Sequence, residues 1–176
     1  MATEYWKAGA EEKELLREIV GAHHTHLAEA RIVILFRKPA ASRDGVTEFG
    51  KASLVPAKYR VLTNADFLVV LGFEPWEQFI PQTRRAALDH ELSHCTVEWA
   101  PETDETGRVV EDASGEPVLT NLPARDSQGH IIWKIRHHDI EEFTGVIERN
   151  GLWREGLKNA GRVIAEQLEL PLEATA

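Results

Sequence analysis

The chain has 176 residues, 43% hydrophobic and 28% charged, which is the make-up of one globular domain able to bury a core without a metal to hold it folded. A net charge of −9 argues against an extended phosphate-reading surface, and no stretch approaches the 18 apolar residues of a membrane span. A lone cysteine, Cys95, rules out an internal disulfide; with an N-terminus (Met1 to Lys7) lacking an apolar signal core, it points to the cytoplasm.

In chain order, residues 10 to 27 read as an amphipathic helix with Leu16, Ile19, Val20, His23 and Leu27 on one stripe. His23 is thus expected at the core edge, and His24 and His26 as exposed helix-end residues. Arg31 to Arg37, parts of Val46 to Val55, Lys58 to Leu62 and Asp66 to Gly72 read as strands, the last apolar enough to be central. The local basic groups (Arg31, Arg37, Lys38, Arg43; Lys51, Lys58, Arg60) read as solvated faces.

From Pro75 to about Trp99 only Pro81 interrupts, near a helix start where proline is tolerated. Leu88, Leu92, Cys95 and Trp99 then form an apolar stripe opposite His90 and His94, with Cys95 a small buried thiol. The small residues Thr83, Ala86 and Ala87 are expected to leave a cleft on the histidine side.

Residues 100 to 129 hold seven acidic and two basic residues with three prolines and three glycines. They read as an insertion, with a hairpin around Asp112-Ala113-Ser114-Gly115-Glu116-Pro117, acting as a lid or as a plain surface excursion. Ile131, Trp133 and Ile135 alternate as a half-buried strand, and Ile140, Phe143, Val146 and Ile147 step as a helix up to Asn150-Gly151. Leu157, Ala160, Ile164 and Leu168 mark a final amphipathic helix, and residues 171–176 a disordered tail. The expectation is a single α+β domain over 1–176, with no internal repeat.

The chemistry concentrates in His90-Glu91-Leu92-Ser93-His94. On a helix the two imidazoles fall roughly 40° apart on one face, able to share one metal ion. Zinc takes neutral imidazole nitrogens and brings the pKa of its water to roughly 7. Glu91, a short arc away, is too far round to be a ligand and is suited to take a proton from that water and pass it to a leaving amine. Hydrolysis of an amide is the reaction these residues propose. A catalytic zinc needs a third protein ligand, and the strand-to-helix junction His137-His138-Asp139-Ile140-Glu141-Glu142-Phe143 is the best source. Glu98 reads as a solvated carboxylate, His130 as too far along the extended strand, about 26 Å from His138, to share the same zinc, and Asp139 either as a hydrogen-bond partner of a ligand histidine or as a helix cap.

These residues also carry a resemblance. His26-Leu27-Ala28 with Ala30-Arg31-Ile32, Gly50-Lys51-Ala52-Ser53 with Pro56 and Lys58-Tyr59-Arg60, Asp66-Phe67, Leu88 to Cys95, His138 to Phe143, Ile147-Glu148-Arg149 and Gly151-Leu152-Trp153 are similar to a family of phage metallopeptidases. That family occurs in bacteriophage and prophage genomes and is grouped with the zincin-type, gluzincin-like proteins; the resemblance runs from about residue 10 to 155. It implies a small mixed sheet beside a metal-bearing helix, with an edge strand along the cleft. It also implies zinc on His90 and His94, Glu91 as general base, and His138 as third ligand with Glu142 as the alternative. The substrate would be a peptide or protein, inside a bacterial host cell. The competing expectation is a zincin-shaped metal-binding module without activity, serving phage regulation or protein interaction. No tyrosine is an evident oxyanion partner, the only two being Tyr5 and Tyr59; Arg136, His137 or a backbone group remain for that role.

Overall fold

Two apolar runs, Ile32 to Lys38 and Phe67 to Gly72, lie side by side at the centre of the molecule, each burying alternate side chains. The structure is a computed structural model and describes residues 2–43, 45–138, 143–154, 157, 158 and 162. Its elements in order are β1 (Glu4–Lys7), α1 (Ala10–His23), a 3-10 turn (Thr25–Leu27), β2 (Ile32–Lys38), β3 (Ser42–Arg43), β4 (Val46–Thr47) and β5 (Gly50–Leu54). Next come α2 (Ala57–Thr63), β6 (Phe67–Gly72), α3 (Phe73–Gln78), α4 (Pro81–His94), β7 (Cys95–Val97), β8 (Trp99–Pro101), β9 (Leu119–Pro123), β10 (Trp133–Ile135) and α5 (Thr144–Asn150).

The main sheet is four-stranded and mixed, in the order β1-β2-β6-β5, with β2 and β6 parallel and the outer pairs antiparallel. Ile34, Phe36, Phe67, Val69 and Leu71 face one way and meet Ile19 of α1, Trp76 of α3 and Leu88 and Leu92 of α4 in the core. Just before β2, Arg31 grips the buried Asp66 just before β6 with its backbone N–H, its Nε at 2.9 Å and its Nη2 at 2.8 Å. Burial alone would raise the Asp66 pKa, but the Arg31 hydrogen bonds and charge hold it below the usual carboxylate range. The α+β expectation stands, and no helix of the described residues is long and apolar enough to cross a membrane.

Several expectations are corrected. Lys58 to Leu62 is not a strand but lies within α2, which Pro56 caps and Asn64 ends in the left-handed conformation at φ 50°. Five residues cannot separate period 2 from period 3.6, and Val61 at 89% exposure has no buried face to alternate against. The helix expected to reach Trp99 stops at His94, because Cys95–Val97 pairs antiparallel with Trp133–Ile135. No glycine or proline announces that stop; the strand partner imposes it. The N-terminal strand β1 was not foreseen.

Nor is the insertion free of repetition. Asp104, Asp112 and Asp126 each open an identical turn, Asp-x-x-Gly-x, in which the carboxylate Oδ1 accepts the N–H groups two and four residues on, at 2.8–3.1 Å. Gly107, Gly115 and Gly129 close the turns at φ +81°, +84° and +83°, a conformation that favours glycine. Bridges Thr103 to Val109, Glu111 to Pro117 and Arg125 to Ile131 make three small hairpins of the same design. The expected tail 171–176 and most of the expected helix 157–168 lie outside the described residues.

Candidate metal centre

His90, Glu91 and His94 occupy the C-terminal end of α4, which is buried continuously from Ala86 to Leu92. The expected open cleft on the histidine side is therefore corrected. His90 is only 3% exposed, and Phe49, Phe143 and Trp153 turn their rings against it at 5.4, 5.6 and 6.0 Å. Access comes from the other direction: His94 is half-buried and His138 exposed.

The register of a short strand pair brings His138 in. Ile135 opposes Cys95, so the next residue, Arg136, meets His94: its N–H donates to the His94 carbonyl at 2.8 Å, and its own carbonyl lies 2.9 Å from His94 Nδ1. The carbonyl can only accept, so Nδ1 donates and the Nε2 lone pair of His94 is left to face the other imidazoles. Two residues on, the His138 ring centroid lies 4.9 Å from that of His90 and 4.6 Å from that of His94.

The ligand nitrogens of His90, His94 and His138 all lie within 4.8 Å of one another, and His90 Nε2 and His138 Nε2 are 3.2 Å apart. Tetrahedral coordination with bonds of about 2.0–2.1 Å sets neighbouring nitrogens roughly 3.3 Å apart, so the His90–His138 pair stands at the spacing of two ligands of one zinc-sized ion, and the three histidines together could hold a metal ion. An all-imidazole set suits zinc and the later first-row metals better than calcium or magnesium. Glu91, 2% exposed, lies beneath the start of β5: a Cβ on Gly50 would come within 2.7–2.9 Å of its Oε1, Cγ and Cδ. Only glycine at position 50 leaves that carboxylate its room.

A buried network anchors the site. Asp89, 1% exposed, accepts from His24 Nε2 at 2.8 Å, from Arg149 Nε and Nη2 at 3.0 and 2.8 Å, and from Asn150 Nδ2 at 2.8 Å. Burial would raise its pKa; the His24, Arg149 and Asn150 hydrogen bonds and the Arg149 charge instead hold it far below the usual carboxylate range. One carboxylate thus ties α4 to the end of α1 and to α5.

That network reverses the reading of the first histidine cluster. His23, expected at the core edge, is exposed, whereas His24 is buried and paired; the helix ends at His23, so the 3.6-residue stripe no longer applies at the next residue. Glu98 pairs with Lys134 Nζ at 2.6 Å and His130 with Asp126 at 3.5 Å, and both are solvated. Cys95 is buried, which pushes its thiol pKa up. Tyr5 and Tyr59 line grooves on the face of the sheet away from α4. Asp139 and Glu142 lie outside the described residues. Sequence reasoning gave no role to Gly50, Asp89, Arg149 or Trp153, which enter it only through the family resemblance, and passed over Phe49 and the pairing of His24; an acid directly before the first histidine was the available signal.

A mixed sheet backing a helix whose two histidines meet a third from a downstream segment defines an α+β protein with the makings of a metal centre. Residues 4–163 match the family model described as "Putative phage metallopeptidase", and the chain belongs to that family. No curated protein and no solved structure matches the chain.

Proposed function

We propose that the protein is a zinc-dependent peptidase of zincin-like design, with His90, His94 and His138 as the metal ligands and Glu91 as the general base. The observation that carries this reading is the convergence of three imidazoles, from α4 and from the segment after β10, with ligand nitrogens within 4.8 Å of one another. A zinc ion there supplies a Lewis acid for the scissile carbonyl and makes water acidic enough to react near neutral pH. Glu91 accepts the proton of the attacking water and returns it to the leaving amine nitrogen. Phe49, Phe143 and Trp153 keep bulk water from the buried side, which strengthens every charge in the site. Arg136, whose guanidinium lies 5.1 Å over the Phe143 ring, is the cation to meet the developing oxyanion.

The test is metal analysis with peptide-library hydrolysis. Wild type should hold about one zinc per chain, lost in His90→Ala and bound far more weakly in His138→Ala, with hydrolysis absent from both. Unchanged affinity in His138→Ala would remove that ligand from the assignment. A wild-type protein free of stoichiometric metal after zinc loading would end the proposal.

Gly50→Ala probes the base without touching a ligand. The added methyl must displace the Glu91 carboxylate, so kcat should fall by about 100-fold while zinc content stays at the wild-type level. Unaltered kcat would mean that Glu91 does not act from the position it occupies.

A further inference from the structure

Among the described residues, α1, α3 and α4 pack on one face of the main sheet. By register, Lys7, Leu35, Val70 and Lys51 form one row across all four strands on the other face, and Val33, Leu68 and Ser53 form the next. Helix α2 borders these rows without burying any residue of its own, and between helix and sheet lies a groove of about 550 Å³. That volume is within the range of small-molecule sites, which are concave, mainly apolar and carry few polar groups.

The lining narrows the ligand. Val33, Leu35, Val55, Leu62 and Leu68 give aliphatic walls, to which Tyr59 adds a ring. Such walls suit a flexible alkyl chain better than a flat aromatic, which gains from stacking partners. The hydroxyls in the walls are already used: Ser53 donates to the Leu68 carbonyl at 3.3 Å and Thr63 to the Tyr59 carbonyl at 2.8 Å. Among the described residues that line the groove, Lys7 is the one that carries a charge, and it forms no ion pair with a described residue.

The charge around the groove has the same sign. Lys51 ends the row that Lys7 begins, and Lys58 on α2 lies over the Tyr59 ring at 5.0 Å. Of the nearby carboxylates, Asp66 is held by Arg31, and Glu48 lines the next, smaller pocket along the face together with Arg37 and Lys51. Among the described residues of this face, Lys7, Arg37, Lys51 and Lys58 thus outweigh Glu48. An apolar ligand with one negative end meets both features. Its head would lie at Lys7 on β1 and its tail would cross β2 and β6 toward Ser53 on β5, roughly 14 Å at the spacing of three strand intervals. A second copy of the face is a poorer occupant, since it would set cations against cations.

We propose that this groove binds a linear, long-chain carboxylate, with its head group on Lys7 and its alkyl tail between the sheet and α2. This inference is independent of the reading of the metal centre.

Isothermal titration of the full chain with sodium dodecanoate, kept below its micellar concentration, tests it. Wild type should bind one dodecanoate per chain, at least about tenfold more tightly than dodecyltrimethylammonium, which has the same tail and the opposite charge. Lys7→Glu should weaken dodecanoate by about tenfold and narrow that preference. Leu62→Glu should abolish binding while cooperative unfolding stays as in wild type, because Leu62 is 80% exposed and its substitution sets a carboxylate in the wall without disturbing the core. Absence of saturable binding to wild type overturns the proposal, and so does equal affinity for the cationic amphiphile. Binding undiminished in both variants would place the ligand elsewhere and overturn the assignment equally. Light scattering on the same samples reports the remaining occupant: a wild-type dimer that binds no dodecanoate and that Leu62→Glu converts to monomer would give the groove to a second copy.

Discussion

Glu91→Gln is expected to take up zinc as the wild type does and to lose at least about 10³-fold in peptide hydrolysis, the scale of a missing general base. Gln preserves the shape that fits beneath Gly50 and keeps α4 packed, so the fold and the three imidazoles are undisturbed. What it removes is the carboxylate next to His90, which can take a proton and give it back. Measuring metal content and kcat on the same preparation separates the outcomes. Near-wild-type turnover would exclude Glu91 as base. Metal bound in both proteins, with no cleavage by wild type across broad libraries, would favour the metal-binding module without activity.

The second large effect is on stability. Asp89→Ala leaves His24, Arg149 and Asn150 facing a cavity where one carboxylate had satisfied all three, and removing one partner of a buried ion pair typically costs about 3–5 kcal/mol. Denaturant unfolding should show a loss in that range, and zinc affinity should fall with it, because α5 and the preceding Phe143 lose their tie to α4. Asp89→Ala/Arg149→Ala should recover part of the loss by removing the uncompensated cation. A cost under about 1 kcal/mol would mean that Asp89 is not the anchor its contacts describe. The pH dependence has a definite sign. The folded-state pKa of Asp89 is depressed, so its contribution is complete above the unfolded value of about 3.9 and disappears as the pH falls below it.

Local periodicity was a sound guide where an element packs one face and has a recognisable end. The alternation of Ile131, Trp133 and Ile135 and the stop of α5 at Gly151, φ +66°, were legible from neighbours in the chain. It misled at the element ends, as with Lys58 to Leu62 and with α4, where no local residue encodes the answer. The pair His23 and His24 shows the sharpest reversal: one residue past the helix end, the buried side of the chain is set by an acid on a different helix.

What the sequence by itself determined is the chemistry of one helical turn: His90, Glu91 and His94 share a face because 3.6 residues complete a turn, whatever surrounds them. Only the tertiary structure decided which distant group joins them. His138 arrives because Cys95–Val97 pairs with Trp133–Ile135 in a register that sets Arg136 against His94. It alone, too, decided that aromatic rings close over His90 and that Gly50 makes room for Glu91. Such choices depend on contacts between segments tens of residues apart, whose energies belong to the packed assembly and leave no periodic trace in the chain.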